Sequence, residues 1–153
     1  RRGVKLEVAG SLSWGPNEPA PATSAGDEHR LGAMLQEKGH DRVALTRVPW
    51  KQRPFYHMRE GERLTRSCEL LYRGVEITTG TVREHRLAVL MKQLAEKGLT
   101  GKGMEFYLDL FKLGAPPHGG FGLGLVRLVA LFLGLPWIKG ASFIHRGPGR
   151  LVP

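Results

Sequence analysis

The sequence predicts an α+β fold, an antiparallel β-sheet flanked by helices, and three observations carry that expectation. Segments of β-branched alternation, such as RVALTRV at 42–48 and CELLYRGVEITTG at 68–80, are interspersed with segments of helical period. The two kinds do not alternate in the regular strand–helix–strand order of a parallel sheet. No internal repeat is visible, and 153 residues with 41% hydrophobic content are enough to bury one ordinary core.

Taken in order, residues 1–26 form a loop-rich N-terminal segment, with Gly, Pro, Ala and Ser crowding GSLSWGPNEPAPATSAG at 10–26. Residues 27–153 form the folded remainder. DEHRLGAMLQEKGH predicts a short helix with Leu31, Met34 and Leu35 on one stripe and Gly39 as its stop. RVALTRV predicts a strand ending before Pro49. CELLYRGVEITTG predicts two strands broken near Arg73-Gly74. Residues 84–98 predict the clearest helix, with Leu87, Leu90, Met91 and Leu94 on one face and Gly98 closing it. A second helix is expected at 103–112, then a glycine-rich strand and a final helix.

Composition narrows the function. Lys and Arg outnumber acids by 23 to 14, a formal charge of +9, which favours a polyanionic partner such as nucleic acid. The basic residues are scattered, however, and also fit a solvated surface. The single Cys68 excludes an internal disulfide framework and fits a reducing, cytoplasmic setting. No apolar run reaches the ~18 residues of a membrane span. The start carries no initiator Met, which leads us to expect a piece of a longer chain or a truncated paralogue.

In PPHGGFGLGLVRLVALFLGL, Gly120, Gly122 and Gly124 recur at every second position. On a strand they bare one face, on which a planar ring or a phosphate chain could lie. Arg127 follows on the first helical turn, where a guanidinium can fork onto phosphate oxygens. The spacing is not that of a dinucleotide fingerprint, because no acid follows Asp109, and no Gly-Lys-Ser/Thr phosphate loop occurs. A glycine strand that merely admits a closely packed helix is the competing explanation.

The wider pattern G-x-P-P-H-G-G-F-G-L-G-L-x-R-L, starting at Gly114, resembles the third signature motif of class II aminoacyl-tRNA synthetases, in particular the archaeal-type aspartyl branch. RPFYHM at 53–58, ELLYRGVEITTG at 69–80, REHR at 83–86 and EKGL at 96–99 follow the same family's order. FYLDLFKLGAPPHGG at 106–120 continues the match. The resemblance implies a sheet of about six antiparallel strands flanked by helices, on which ATP and aspartate meet. Aspartate would be activated to aspartyl-adenylate and passed to tRNA by a homodimeric full-length enzyme.

Residue by residue, the resemblance makes Glu76 the acid that holds Mg²⁺ at the ATP phosphates, with Thr79 beside the metal and the substrate. It makes Arg83 the clamp on the aspartate side chain. Gly122, Gly124 and Arg127 become the ATP platform and its phosphate-binding Arg, while the role of His118 stays open. Strand alternation puts Glu76 and Thr79 on opposite faces, so a shared site requires the strand to end or bulge near Gly80. Otherwise Glu76 reads as a surface acid paired with Arg73 or Arg83.

Three departures stand against the family pattern. Val126 replaces an acid beside Arg127, Val82 replaces a Gln close to the amino-acid pocket, and FIHRGPGRLVP replaces a phe-pro-arg-asp form while keeping Arg146 and Arg150. No match to the family's first or second motif, or to its anticodon-binding barrel, is found. The segment alone is therefore expected to be incomplete as an enzyme. An ATP-dependent asparagine synthetase-like paralogue and a degenerate, non-catalytic binding module are the alternatives.

Overall fold

In a computed structural model, which describes residues 25–149, the chain folds as an antiparallel sheet with helices on its faces. Helix α1 (Ala25–Glu37) leads into β1 (Arg42–Thr46), and a 3-10 turn at Trp50–Gln52 follows. The short strands β2 (Arg59–Glu60) and β3 (Leu64–Thr65) form a two-stranded sheet of their own. β4 (Ser67–Tyr72) and β5 (Val75–Val82) precede helices α2 (Leu87–Glu96) and α3 (Glu105–Lys112). β6 (Gly119–Leu123), α4 (Leu125–Phe132) and a 3-10 turn at Ile138–Ala141 complete the described chain.

The main sheet has four strands in the order β1-β4-β5-β6, every neighbour antiparallel. Among the described residues four strands thus form the main sheet, against the about six that the resemblance implies, and two more form a separate pair. The loop reading of 10–26 lies largely outside those residues, but Ala25 and Gly26 are already helical. Arg150 also lies outside them.

Local chemistry explains the boundaries. Arg73 and Gly74 both adopt positive φ, at 50° and 78°, the handedness a two-residue hairpin between twisted strands requires. Helix α1 crosses this hairpin at Gly32, where a Cβ would stand 2.3 Å from the Gly74 Cα. At the end of α2, Gly98 N–H bonds to Ala95 O at 2.9 Å and Leu99 N–H to Leu94 O at 3.1 Å, a Schellman stop.

Helix α2 begins three residues later than the sequence suggests. Glu84 remains extended because its N–H bonds to Tyr56 O at 2.9 Å, and its carboxylate accepts the Arg86 N–H at 3.0 Å. α3 likewise starts at Glu105, whose carboxylate accepts the Gly103 N–H at 3.0 Å.

Two apolar clusters hold these layers. Leu31 and Leu35 of α1 pack on Leu45 and Leu71 of the sheet. Leu90 and Leu94 of α2 pack with Leu108 and Phe111 of α3 against Trp50 and Phe55. Met91, expected on the buried stripe of α2, is exposed instead. The far end of the fold differs: all five residues of β6 are exposed, and so are Phe132, Trp137 and Phe143 beyond it.

Candidate functional site

The geometry of the site begins with a β-bulge. Leu70 pairs with Thr78, but the next residue, Leu71, pairs with Glu76, which leaves Ile77 as the extra residue of β5. The irregularity expected near Gly80 thus lies at Ile77, while Gly80 keeps regular partners in Cys68 and Phe121. The bulge turns Glu76 onto the Thr79 face, and the Thr79 hydroxyl donates to Glu76 Oε1 at 2.5 Å. The bulge carbonyls are satisfied from the β6–α4 junction. Arg127 Nη1 donates to Glu76 O at 2.6 Å, and Gly124 N–H donates to Ile77 O at 2.9 Å.

A cleft of about 260 Å³ opens on this face. Glu76, Thr79 and Arg83 enter it from β5 and its end, over a floor formed by Gly120 and Gly122. Those glycines sit opposite Thr81 and Thr79 in the ladder. A Cβ built on either would meet nothing within 4 Å. Close packing of a helix therefore does not explain them, and the bare floor is open to a flat ligand.

Tyr56 and His57 form the opposite wall. The Arg83 guanidinium lies over the Tyr56 ring, 4.5 Å from its centroid. His57 and Arg83 are partners across an isolated antiparallel bridge, which sets their side chains side by side. Gln93, fully buried on α2, donates its amide to Phe55 O at 2.5 Å and to His57 O at 3.1 Å, pinning the wall from behind. Arg83 N–H bonds to His118 O at 2.9 Å, which ties the loop before β6 to the same wall.

Electrostatics sharpen the picture. Burial, reinforced by the cations of Arg53, Arg83 and Lys97, pushes the His57 pKa down to about 4. Burial pushes Glu84 upward, but hydrogen bonds from Arg86 more than offset it and leave the carboxyl below its ordinary value. On α1, burial and the nearby carboxylates of Glu69 and Glu76 raise the pKa of Glu28. Glu69 itself is paired with Arg53 in the interior, with Oε2 left unpartnered.

No group of three His, Cys, Asp or Glu residues converges as a metal cage among the described residues. Glu76 and Thr79 nonetheless supply two hard oxygens at one point. That fits Mg²⁺, which commonly takes one or two carboxylates and completes its shell with water and substrate phosphates.

Four of the residues singled out in the sequence, Glu76, Thr79, Arg83 and Gly122, line one cleft. Gly124 and Arg127 do not line it; they brace the bulge that aims Glu76. The exposed guanidinium of Arg127 retains further donors. Val82, expected near the amino-acid pocket, is not a lining residue and is exposed. Glu76 pairs with neither Arg73 nor Arg83; Arg73 instead bonds Asp41. His118 turns its ring to Pro116 O, at 2.8 Å. Tyr56 and His57 carried no assigned role in the sequence, and only their place in RPFYHM pointed toward the site.

A family model for class II tRNA synthetases (D, K and N) matches residues 16–144. The aspartate–tRNA(Asp/Asn) ligase of Aeropyrum pernix is 46% identical over 82% of this chain and 29% of its own length. That of Thermus thermophilus is 43% identical over 82% and 30%. Among solved structures, the aspartyl-tRNA synthetase of Entamoeba histolytica superposes with a TM-score of 0.80 at 35% identity, covering 86% of this chain and 28% of that one. The asparaginyl-tRNA synthetase of the same organism, in complex with asparaginyl-adenylate, gives 0.76 at 31%, covering 90% and 32%. The chain thus spans about 30% of the length of the relatives it matches.

Proposed function

The chain belongs to the class II tRNA synthetases of the D, K and N group, and on that premise we propose that its cleft is the amino-acid and ATP site of an aspartate–tRNA ligase. The observation that carries this reading is the convergence of Glu76, Thr79, Arg83 and Gly122 on one cleft, brought about by the bulge at Ile77.

Arg83 offers the planar fork that grips a side-chain carboxylate, stacked on Tyr56 so that little freedom is lost on binding. Gly120 and Gly122 present a flat floor to the adenine or ribose face. Arg127, near the start of α4, would offer the phosphates the donors left over from its bond to Glu76 O. Glu76 and Thr79 would hold Mg²⁺, whose charge would offset that of the phosphates. The positioning of these groups favours attack of the aspartate carboxylate on the α-phosphorus, with pyrophosphate leaving and aspartyl-adenylate formed. Transfer to tRNA, homodimerisation and a cytoplasmic setting rest on family membership alone. No helix among the described residues is long and apolar enough to cross a membrane.

Calorimetric titration tests the reading. The chain should take up L-aspartate saturably and in clear preference to L-lysine, and Mg·ATP should bind separately. Equal affinity for lysine would sink the assignment. Aspartate-dependent ATP–pyrophosphate exchange should be weak or absent in residues 1–153 alone, since the chain matches under a third of its relatives' length.

A further inference from the structure

His57 faces the cleft, yet the sequence gives it no role. It is 4% exposed, its backbone is fixed by Gln93 on one side and by the bridge to Arg83 on the other, and it lines the site. Apart from a tilted ring contact with Tyr56, 5.1 Å between centroids, its side chain makes no hydrogen bond to the described residues. Nδ1 is sealed and has no partner, whereas Nε2 makes no hydrogen bond to the described residues and is not sealed off with it.

Burial and the neighbouring cations Arg53, Arg83 and Lys97 keep the ring uncharged near neutral pH, so it carries one proton. A sealed nitrogen without an acceptor is a costly place for that proton, which therefore resides on Nε2. The cleft thus presents an N–H donor from the bridge partner of Arg83, and two donors lining one cleft suit an anion with two oxygens.

We propose that His57 is a further substrate-binding residue, donating a hydrogen bond from Nε2–H to the side-chain carboxylate that Arg83 grips. The inference rests on the aspartate reading given above. It differs from a structural role for the ring, because Gln93 bonds the His57 carbonyl whatever the side chain is.

L-Aspartate is titrated calorimetrically into the unsubstituted chain and into His57→Leu, His57→Gln and Arg83→Leu, with Mg·ATP binding as the control for an intact fold. His57→Leu should weaken aspartate roughly tenfold or more, the value of one hydrogen bond to a charged group. His57→Gln, whose amide nitrogen can stand where Nε2 stood, should restore most of that loss.

If His57→Leu binds aspartate like the parent while Arg83→Leu does not, His57 has no part in binding and the aspartate reading survives. If Arg83→Leu also binds like the parent, or the parent takes up no aspartate, the reading of the cleft falls and this inference with it. Should His57→Leu fail to fold, the imidazole ¹⁵N–¹H spectrum of the unsubstituted chain decides. An Nε2–H signal that shifts on adding L-aspartate supports the contact, and an unmoved signal overturns it.

Discussion

The Tyr56–His57–Arg83 wall of the cleft leans on fully buried groups, whereas the Gly120–Gly122 floor belongs to a strand whose five residues are all exposed. Behind the wall stand Gln93, Glu84 and Leu90, at 1%, 0% and 0% exposure. Around the floor, support comes from the β5 ladder and from two hydrogen bonds at the bulge. The wall is set before any ligand arrives, which suits discrimination between small, similar side chains by fixed polar groups. The floor offers backbone without side chains, which suits face contact with a ring.

The contrast can be broken most forcefully from behind the wall. Leu90→Ala should cost about 2–5 kcal/mol of stability by leaving a cavity between α2 and the Phe55 loop. Denaturant unfolding measures it, and an unmoved midpoint would show that this cluster does not support the wall. Arg83→Leu should come next, lowering aspartate affinity roughly a hundredfold, in line with the loss of one partner of a charged, hydrogen-bonded pair. Mg·ATP affinity should stay within about threefold if wall and floor act independently.

Gly122→Val attacks the floor. It should weaken Mg·ATP roughly tenfold by occupying the open face, while the thermal midpoint holds, because nothing lies within 4 Å of the added Cβ. Unaltered ATP affinity would mean the ring lies elsewhere.

The gentlest probe is pH. The folded pKa of His57 is about 4, below its ordinary value of 6.5, so between these values the unfolded chain binds more protons. The stability this group provides should be complete above pH 6.5 and fall as the pH drops toward 4. In His57→Leu that part of the slope should vanish in urea titrations run across the same window.

The order of strands and helices was legible because it rests on local signals: the alternation of 42–48, the Arg73-Gly74 turn, the stops at Gly98 and Gly39. Boundaries shifted where long-range bonds intervened, as when Tyr56 O kept Glu84 out of α2. At the candidate site, Glu76, Thr79 and Arg83 were legible only through family resemblance, whereas the alternation of the glycines already singled out Gly122. Alternation showed that Glu76 and Thr79 conflict, but no local feature says which residue is extra. Ile77 is an ordinary strand residue whose place is settled by Gly124 and Arg127, about fifty positions away in the chain. His57 and Tyr56 were unreadable for a similar reason, since a bridge to Arg83 brings them to the cleft.

The bulge also has a meaning as parity. A strand assigns odd and even positions to opposite sides, and one surplus residue reverses that assignment for everything on one side of it. Ile77 therefore separates the numbering of the Val75–Glu76 end from that of the Thr78–Val82 end. Exchanging its side chain leaves the count intact, and it is this one surplus residue that lets Glu76, three positions before Thr79, share its face. At this position the number of residues carries more information than their identity.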